Sequence, residues 1–315
     1  MNRNYRFILY LFFIFVVTFT IFTSHSLALP IAQKSNNNSF QSGVGKMQSS
    51  KFTEAIKEFT EAIENDINPD AAYSNRCLAF LQINKYRDAV ADCTKAINFS
   101  PSNAEAYLNR GLAQYRLKNY AAAIIDNNKV LALRKNDFRA YYNRGVATAA
   151  SGNYPRAILD YNQALTFIPQ TSTMLVADVY NDRGLAYFKV ADLDAAMNDF
   201  SRAVRLNDKD DRAYFNRGCT CAKKGDTFSA INDFSQVIRL NPSNGQAYIN
   251  RGIAYHQLGY QPAAINDLHK AADYFANSGQ KPAYQYTLNL LKSLQQQIIS
   301  SIEIAFLENG KKFLN

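Results

Sequence analysis

The chain has 315 residues, of which 47% are apolar and 19% charged. Its 13 glycines and 8 prolines are too few for a turn-rich β-sandwich or a disordered chain and favour helices. Three histidines and four cysteines leave little material for a metal cluster or a nucleophile–base pair, and the net charge of +9 comes from scattered residues rather than the cluster a nucleic acid would need.

Arg3 and Arg6 precede an apolar run from Phe7 to Phe22, followed shortly by Ser26-Leu27-Ala28. A basic start, an apolar middle and small residues two apart fit a secretory signal peptide over residues 1–28, with cleavage expected after Ala28. The alternative is an uncleaved membrane anchor over residues 7–22, a run of 16 residues just short of the ~17–25 that span a bilayer. Either reading sends the remainder to the periplasm or an equivalent extracytoplasmic compartment. The stretch from Gln33 to Ser39 has no core-forming residue, and residues 29–35 are read as a polar tether.

Beyond the tether the chain repeats. Asn-Arg-Gly occurs at 109–111, 143–145, 216–218 and 250–252, with variants Asn75-Arg76-Cys77 and Asp182-Arg183-Gly184. The six arginines are spaced 34, 34, 39, 34 and 34 residues apart. Numbering a 34-residue unit so that the triplet takes places six to eight gives seven copies: 36–69, 70–103, 104–137, 138–171, 177–210, 211–244 and 245–278. The five residues Ser172 to Val176 are an insertion. Tyrosine fills place four in the last six copies, from Tyr73 to Tyr248; alanine fills place twenty throughout, from Ala55 to Ala264. Place twenty-seven is always Ala or Val, and the first copy is divergent.

Apolar residues three and four apart, as in Tyr107 to Leu117, predict a helix in the first half of each unit. A break such as Gly152-Asn153 follows, then a second helical run. Small residues at places eight, twenty and twenty-seven let two antiparallel helices approach closely, where a larger side chain would overpack the contact at ~1–3 kcal/mol.

This unit resembles the tetratricopeptide repeat, with its small-residue framework and an aromatic at place four, here Tyr where Trp is commonest in the family. The resemblance covers residues 36–278. It implies an all-α fold: an α-solenoid, a right-handed superhelix of about seven helix-turn-helix units with a concave groove. Residues 279–315 are expected to supply a capping helix and tail, with Leu288, Leu291, Leu294, Ile298 and Ile302 on one face.

Two ladders run through the repeat. Place seven carries Arg76, Arg110, Arg144, Arg183, Arg217 and Arg251; place twenty-three carries Asp92, Asp126, Asp160, Asp199, Asp233 and Asp267, always sixteen residues later. The first copy has Ser42 and Glu58, so both members change together. These are read as ion pairs tying helices together, since the guanidinium fork suits a carboxylate; the alternative is that the arginines bind an acidic ligand. The second ladder is place six: Asn75, Asn109, Asn143, Asp182, Asn216 and Asn250. The resemblance implies that this place faces the groove, where an amide could grip a peptide backbone; these residues would equally serve to satisfy neighbouring helices or meet solvent. Place thirteen offers Arg116, Lys189 and Lys223, to which Arg139 and Arg212 at place two add, offset by Glu105 and Asp178. Such a mildly basic groove would steer acidic segments or polypeptide C-termini inward. The lysine and asparagine clamp that chaperone-binding members carry at places five and nine is missing. Apolar residues at those places, from Leu78 to Ile253, with Tyr115 and Phe188 at place twelve, are expected to line the groove instead.

Cys77 and Cys93 lie on facing helices of one copy. The preferred reading is two small buried thiols filling the contact, and the alternative, open to an exported protein, is a disulfide. Cys219 and Cys221 point to different sides of a helix, and His256 and His269 have no acid–base partner pattern. The protein is therefore read as a non-enzymatic scaffold without cofactor, metal or nucleic acid, binding a peptide segment or partner protein in its groove. The alternative is a structural subunit of an envelope or membrane complex that binds through its convex face or ends.

Overall fold

The computed structural model describes residues 39–169 and 171–312, and the expected signal and tether lie outside them. Every regular element among the described residues is a helix. They follow in order as α1 (Ser39–Gln48), α2 (Phe52–Glu64), α3 (Pro69–Gln82), α4 (Tyr86–Phe99), α5 (Ala104–Arg116), α6 (Tyr120–Leu133), α7 (Phe138–Ala150) and α8 (Tyr154–Phe167). Next come α9 (Thr173–Lys189), α10 (Leu193–Leu206), α11 (Asp211–Lys224), α12 (Thr227–Leu240), α13 (Gly245–Gln257), α14 (Gln261–Asn277) and α15 (Lys281–Lys312). No helix among the described residues is long and apolar enough to cross a membrane. The described residues form two compact units that divide between Ala147 and Thr148, inside α7.

Within each unit the helices pack as hairpins. The second helix of a hairpin packs on the first helix of the next, α2 on α3 and α4 on α5 in the first unit, α10 on α11 and α12 on α13 in the second. First helices also touch one another, α1 with α3 and α3 with α5, α9 with α11 and α11 with α13. The alanines at places twenty and twenty-seven lie at these contacts fully buried, among them Ala55, Ala62, Ala123, Ala230 and Ala271.

One turn joins the two helices of every hairpin. The residue at place fifteen adopts a positive φ: Ser50, Asn84, Lys118 and Ala191 at 57°, 61°, 65° and 64°, and Gly152, Gly225 and Gly259 at 91°, 84° and 80°. Its N–H donates to the carbonyl three residues back, and the next N–H to the carbonyl five back, as in Lys118 to Tyr115 and Asn119 to Gln114. These bonds satisfy the last carbonyls of the first helix. Asn or Asp side chains then open many helices; Asn153, Asp192 and Asp226 each accept a first-turn backbone N–H.

The second unit closes on α15. Leu291 and Leu294 are buried, and Leu291 and Leu288 pack against Ile249, Leu268 and Phe275. The side chains of Ile298 and Ile302 lie outside the described residues. The five-residue insertion does not form a loop: α9 begins at Thr173, so most of it becomes an extra helical turn with Met174 exposed.

The preferred reading of Cys77 and Cys93 is corrected here. The two are joined as a disulfide, with their Cα atoms 5.4 Å apart on α3 and α4. The expected small-residue contact is present, and its closeness is what brings the two sulfurs within bonding reach.

A left-handed conformation strains any residue with a Cβ. Ala191→Gly is therefore expected to stabilise the protein by ~0.5–1 kcal/mol, measured by chemical denaturation.

Candidate functional site

Five of the arginine–aspartate pairs lie within one unit, and all five form two-pronged bridges. Arg76 donates from Nε and Nη2 to Asp92 at 2.6 and 2.9 Å, and Arg183 to Asp199 at 2.7 and 2.7 Å. Arg110–Asp126, Arg217–Asp233 and Arg251–Asp267 repeat this geometry. Arg144 and Asp160 belong to different units. The arginines do more than pair. Nη1 reaches back to place twenty-five of the preceding hairpin: Arg76 to Thr60, Arg110 to Thr94, Arg144 to Asn128, Arg183 to Asn162 and Arg251 to Ser235, at 2.6–3.1 Å. The guanidinium also lies over the place-four ring one turn earlier, 5.3 Å from Tyr180 for Arg183 and 5.5 Å from Tyr107 for Arg110.

The aspartates are sealed in; Asp126 is 3% exposed and Asp199 2%. For Arg110, Arg217 and Arg251 the aspartate hydrogen bond is the largest influence and raises the guanidinium pKa above its usual value despite burial. For Arg76 and Arg183 burial pulls hardest downward, and the aspartate bond and charge together outweigh it. In all five, the Nε and Nη2 donors of the arginine are committed to the aspartate.

The remaining candidates sit on the first helices. In the first unit Asn75 donates to Ala71 of its own helix, and Asn109 is buried and presents little to a ligand. Asn143 and Arg116 are half-buried. In the second unit Asp182, Asn216 and Asn250 occupy one register on α9, α11 and α13 and are half-buried. Asn216 donates to Asn181 at 2.9 Å; Asn250 donates weakly to the Cys219 sulfur and accepts from Gln246. Each amide has two donors and two lone pairs, so capacity remains. Beside them Leu185 is 39% exposed, Lys189 is exposed, and Lys223 holds its ammonium 4.7 Å from the Phe188 ring centre.

Two expectations fail. Leu108 and Ile249 at place five are 2% and 1% exposed and belong to the core rather than a groove, because a first helix is covered on two sides by its neighbours. Arg139 and Arg212 do not add to a basic face. Arg139 grips Asp137 and Glu105, and Glu105 also accepts from Arg134 at 2.5 Å. Arg212 likewise grips Asp210 and Asp178. These clamps fasten consecutive first helices, α5 to α7 and α9 to α11. Cys219 and Cys221 are not in a disulfide, and burial, with Asp233 and Asp226 adding, pushes the Cys221 thiol up to about 11.

Models of the tetratricopeptide repeat match residues 78–118, 104–137, 128–171, 177–210 and 220–259, together more than half of the chain. The chain belongs to the tetratricopeptide repeat family. Among solved structures, YrrB, named as a tetratricopeptide repeat protein with an unusual peptide-binding site, is 25% identical with a TM-score of 0.52, covering 64% of this chain and 97% of its own. A repeat protein from Parabacteroides merdae is 18% identical with a TM-score of 0.61, covering 79% and 97%. PilF of Pseudomonas aeruginosa is 18% identical with a TM-score of 0.58, covering 70% and 96%. The last two show the fold alone. No curated protein sequence matches the chain.

Within this tetratricopeptide array, sequence reasoning missed place twenty-five. Its signal is a short polar residue at every copy from Thr60 to Ser235, with letters that vary while the acceptor oxygen persists.

Arg110→Ala would leave Asp126 buried beside no cation and should lower stability by ~3–5 kcal/mol in denaturant melts, while Arg110→Met with Asp126→Leu should lose less. A pH effect follows from Glu105. Burial pushes its pKa up, but the bonds from Arg139 and Arg134 hold it below 4.5 overall. A depressed carboxyl stabilises the fold above its unfolded pKa and loses that effect as pH falls through the folded value. Glu105→Gln should therefore melt below wild type at pH 7, with the gap closing as pH drops below about 4.

Proposed function

We propose that this tetratricopeptide protein is a non-enzymatic scaffold that is exported and holds an extended segment of a partner protein along its first-helix face. The observation that carries the reading is the second unit's row of Asp182, Asn216 and Asn250, flanked by exposed Leu185, by Phe188 and by the cations Lys189 and Lys223. Amides at repeat spacing suit a peptide backbone, the apolar residues suit its side chains, and the lysines suit a carboxylate. The place-seven arginines are already engaged with their aspartates, whereas the Asn216 and Asn250 amides keep donor and acceptor capacity for a guest. The peptide-binding site named for YrrB supports the same reading. Export is supported by Arg3, Arg6, the apolar run to Phe22 and Ser26-Leu27-Ala28, and by a disulfide, which persists in oxidising compartments.

A second reading, a structural subunit bound through its outer face, has its own observation. On α4 and α6 of the first unit Phe99, Ile125 and Leu133 are 57%, 59% and 45% exposed. Lys95 and Lys129 accompany them, one turn before Phe99 and Leu133.

Capture of partners from an extracytoplasmic extract separates the two. Asn216→Ala with Asn250→Ala, assayed well below its melting temperature, should weaken capture about ten-fold or more, two hydrogen bonds at ~1 kcal/mol each being removed. Loss on Phe99→Ser with Ile125→Ser, with the asparagine variant unaffected, would replace the groove reading with the outer-face one.

A further inference from the structure

In three hairpins the packing of first on second helix rests on a complementary pair. Place eight is glycine and place twenty-four a phenylalanine whose ring lies against the bare backbone. A Cβ on Gly43 would stand 2.6 Å from the Phe59 ring; on Gly184 and Gly218 it would stand 2.9 Å from Phe200 and Phe234. Those rings are at most 1% exposed. The pair works because one member is absent and the other large, so the glycine cannot gain a side chain while the ring stays, although smaller partners face Gly111 and Gly252, namely Asn127 and Leu268.

The hairpin α3–α4 has changed both. Cys77 takes place eight and Cys93 place twenty-four, and both are 0% exposed. They sit in a core of Leu81, Ala89, Leu112 and Ala113. We infer that this disulfide is the packing element of its hairpin, standing in for the glycine–ring contact, and that it makes folding of the first unit conditional on oxidation. Two unjoined thiols demand more room between the helices than joined sulfurs, yet fill less of the surrounding core than a ring. The reduced hairpin is therefore both pushed apart and underfilled. Bond formation takes two protons and two electrons from the thiols to an external disulfide, which departs as two thiols. Once the helices close, the bond is shielded from reductant until the hairpin opens. The device acts in one direction: a protein in a reducing compartment keeps its second hairpin loose, and it locks after reaching an oxidant. It is independent of what the first-helix faces bind.

The test compares four forms of the full-length protein: oxidised, reduced by unfolding and refolding in dithiothreitol, Cys77→Ser with Cys93→Ser, and Cys77→Gly with Cys93→Phe. Melting temperature and hydrogen exchange of residues 70–99 are the readouts. The oxidised and glycine–phenylalanine forms should protect α3 and α4 alike, the latter also in dithiothreitol. The reduced and serine forms should exchange there at least about ten-fold faster and melt about 10 °C lower. Equal protection in the reduced or serine form overturns conditional folding. A glycine–phenylalanine form as labile as the serine form overturns the substitution. Should that variant fail to fold, Cys77→Gly with Cys93→Leu, the pair present at Gly252 and Leu268, decides in its place by the same readouts.

Discussion

The architecture depends on a buried aspartate that must never be left alone. A carboxylate removed from water is costly unless a cation and hydrogen bonds meet it. In each bridge seen within a unit, one guanidinium meets that need by two parallel bonds. The same group rests on a tyrosine of its own helix and, in most copies, donates to the hairpin before it. A planar fork accepts a carboxylate in few orientations. What the pair adds over greasy contact is therefore register: it sets how one helix lies on its partner and how one hairpin lies on the last. Apolar packing alone would leave both free to slide.

Around that joint the rest follows by exclusion. Alanines at the crossing points let the helices come close enough for the fork to reach. The left-handed turn reverses the backbone in few residues and uses up the carbonyls that the first helix leaves open. The acid–arginine clamps at place two occupy a further set of charges. With the fixed charges engaged in this way, the first-helix face is left with amides, a few lysines and some uncovered apolar surface. A binding role for that face thus owes as much to what the fold has already used as to what it presents.

The degree to which this was readable from the amino-acid sequence differs by residue. The arginine–aspartate pairs were readable because a constant separation of sixteen is itself a geometric statement about a hairpin. Place twenty-five was not, since Thr60, Asn128 and Ser235 share an oxygen but no letter. Leu108 and Ile249 misled because helical periodicity marks an apolar side without saying whether solvent or a neighbouring helix covers it. Arg139 and Arg212 misled because charge was balanced place by place, while Asp137 and Asp210 two residues earlier were left out of the balance. The disulfide was visible only by setting place eight against place twenty-four: the copy that departs from glycine at one is the copy with cysteine at the other.

Because the guanidiniums of Arg76, Arg110, Arg144, Arg183 and Arg251 reach backward to the preceding hairpin, the joint between these hairpins is directional. A hairpin grafted into the row would need an arginine and its aspartate to address what lies before it, and a short polar side chain to be addressed by what lies after. One lacking the polar side chain would still be seated on its predecessor while giving its successor a poorer seat. The hairpin α1–α2 carries Ser42 where the later copies carry the arginine, and its Thr60 accepts from Arg76. In this chemistry, then, it is addressed by its successor without the address of its own that the other links carry.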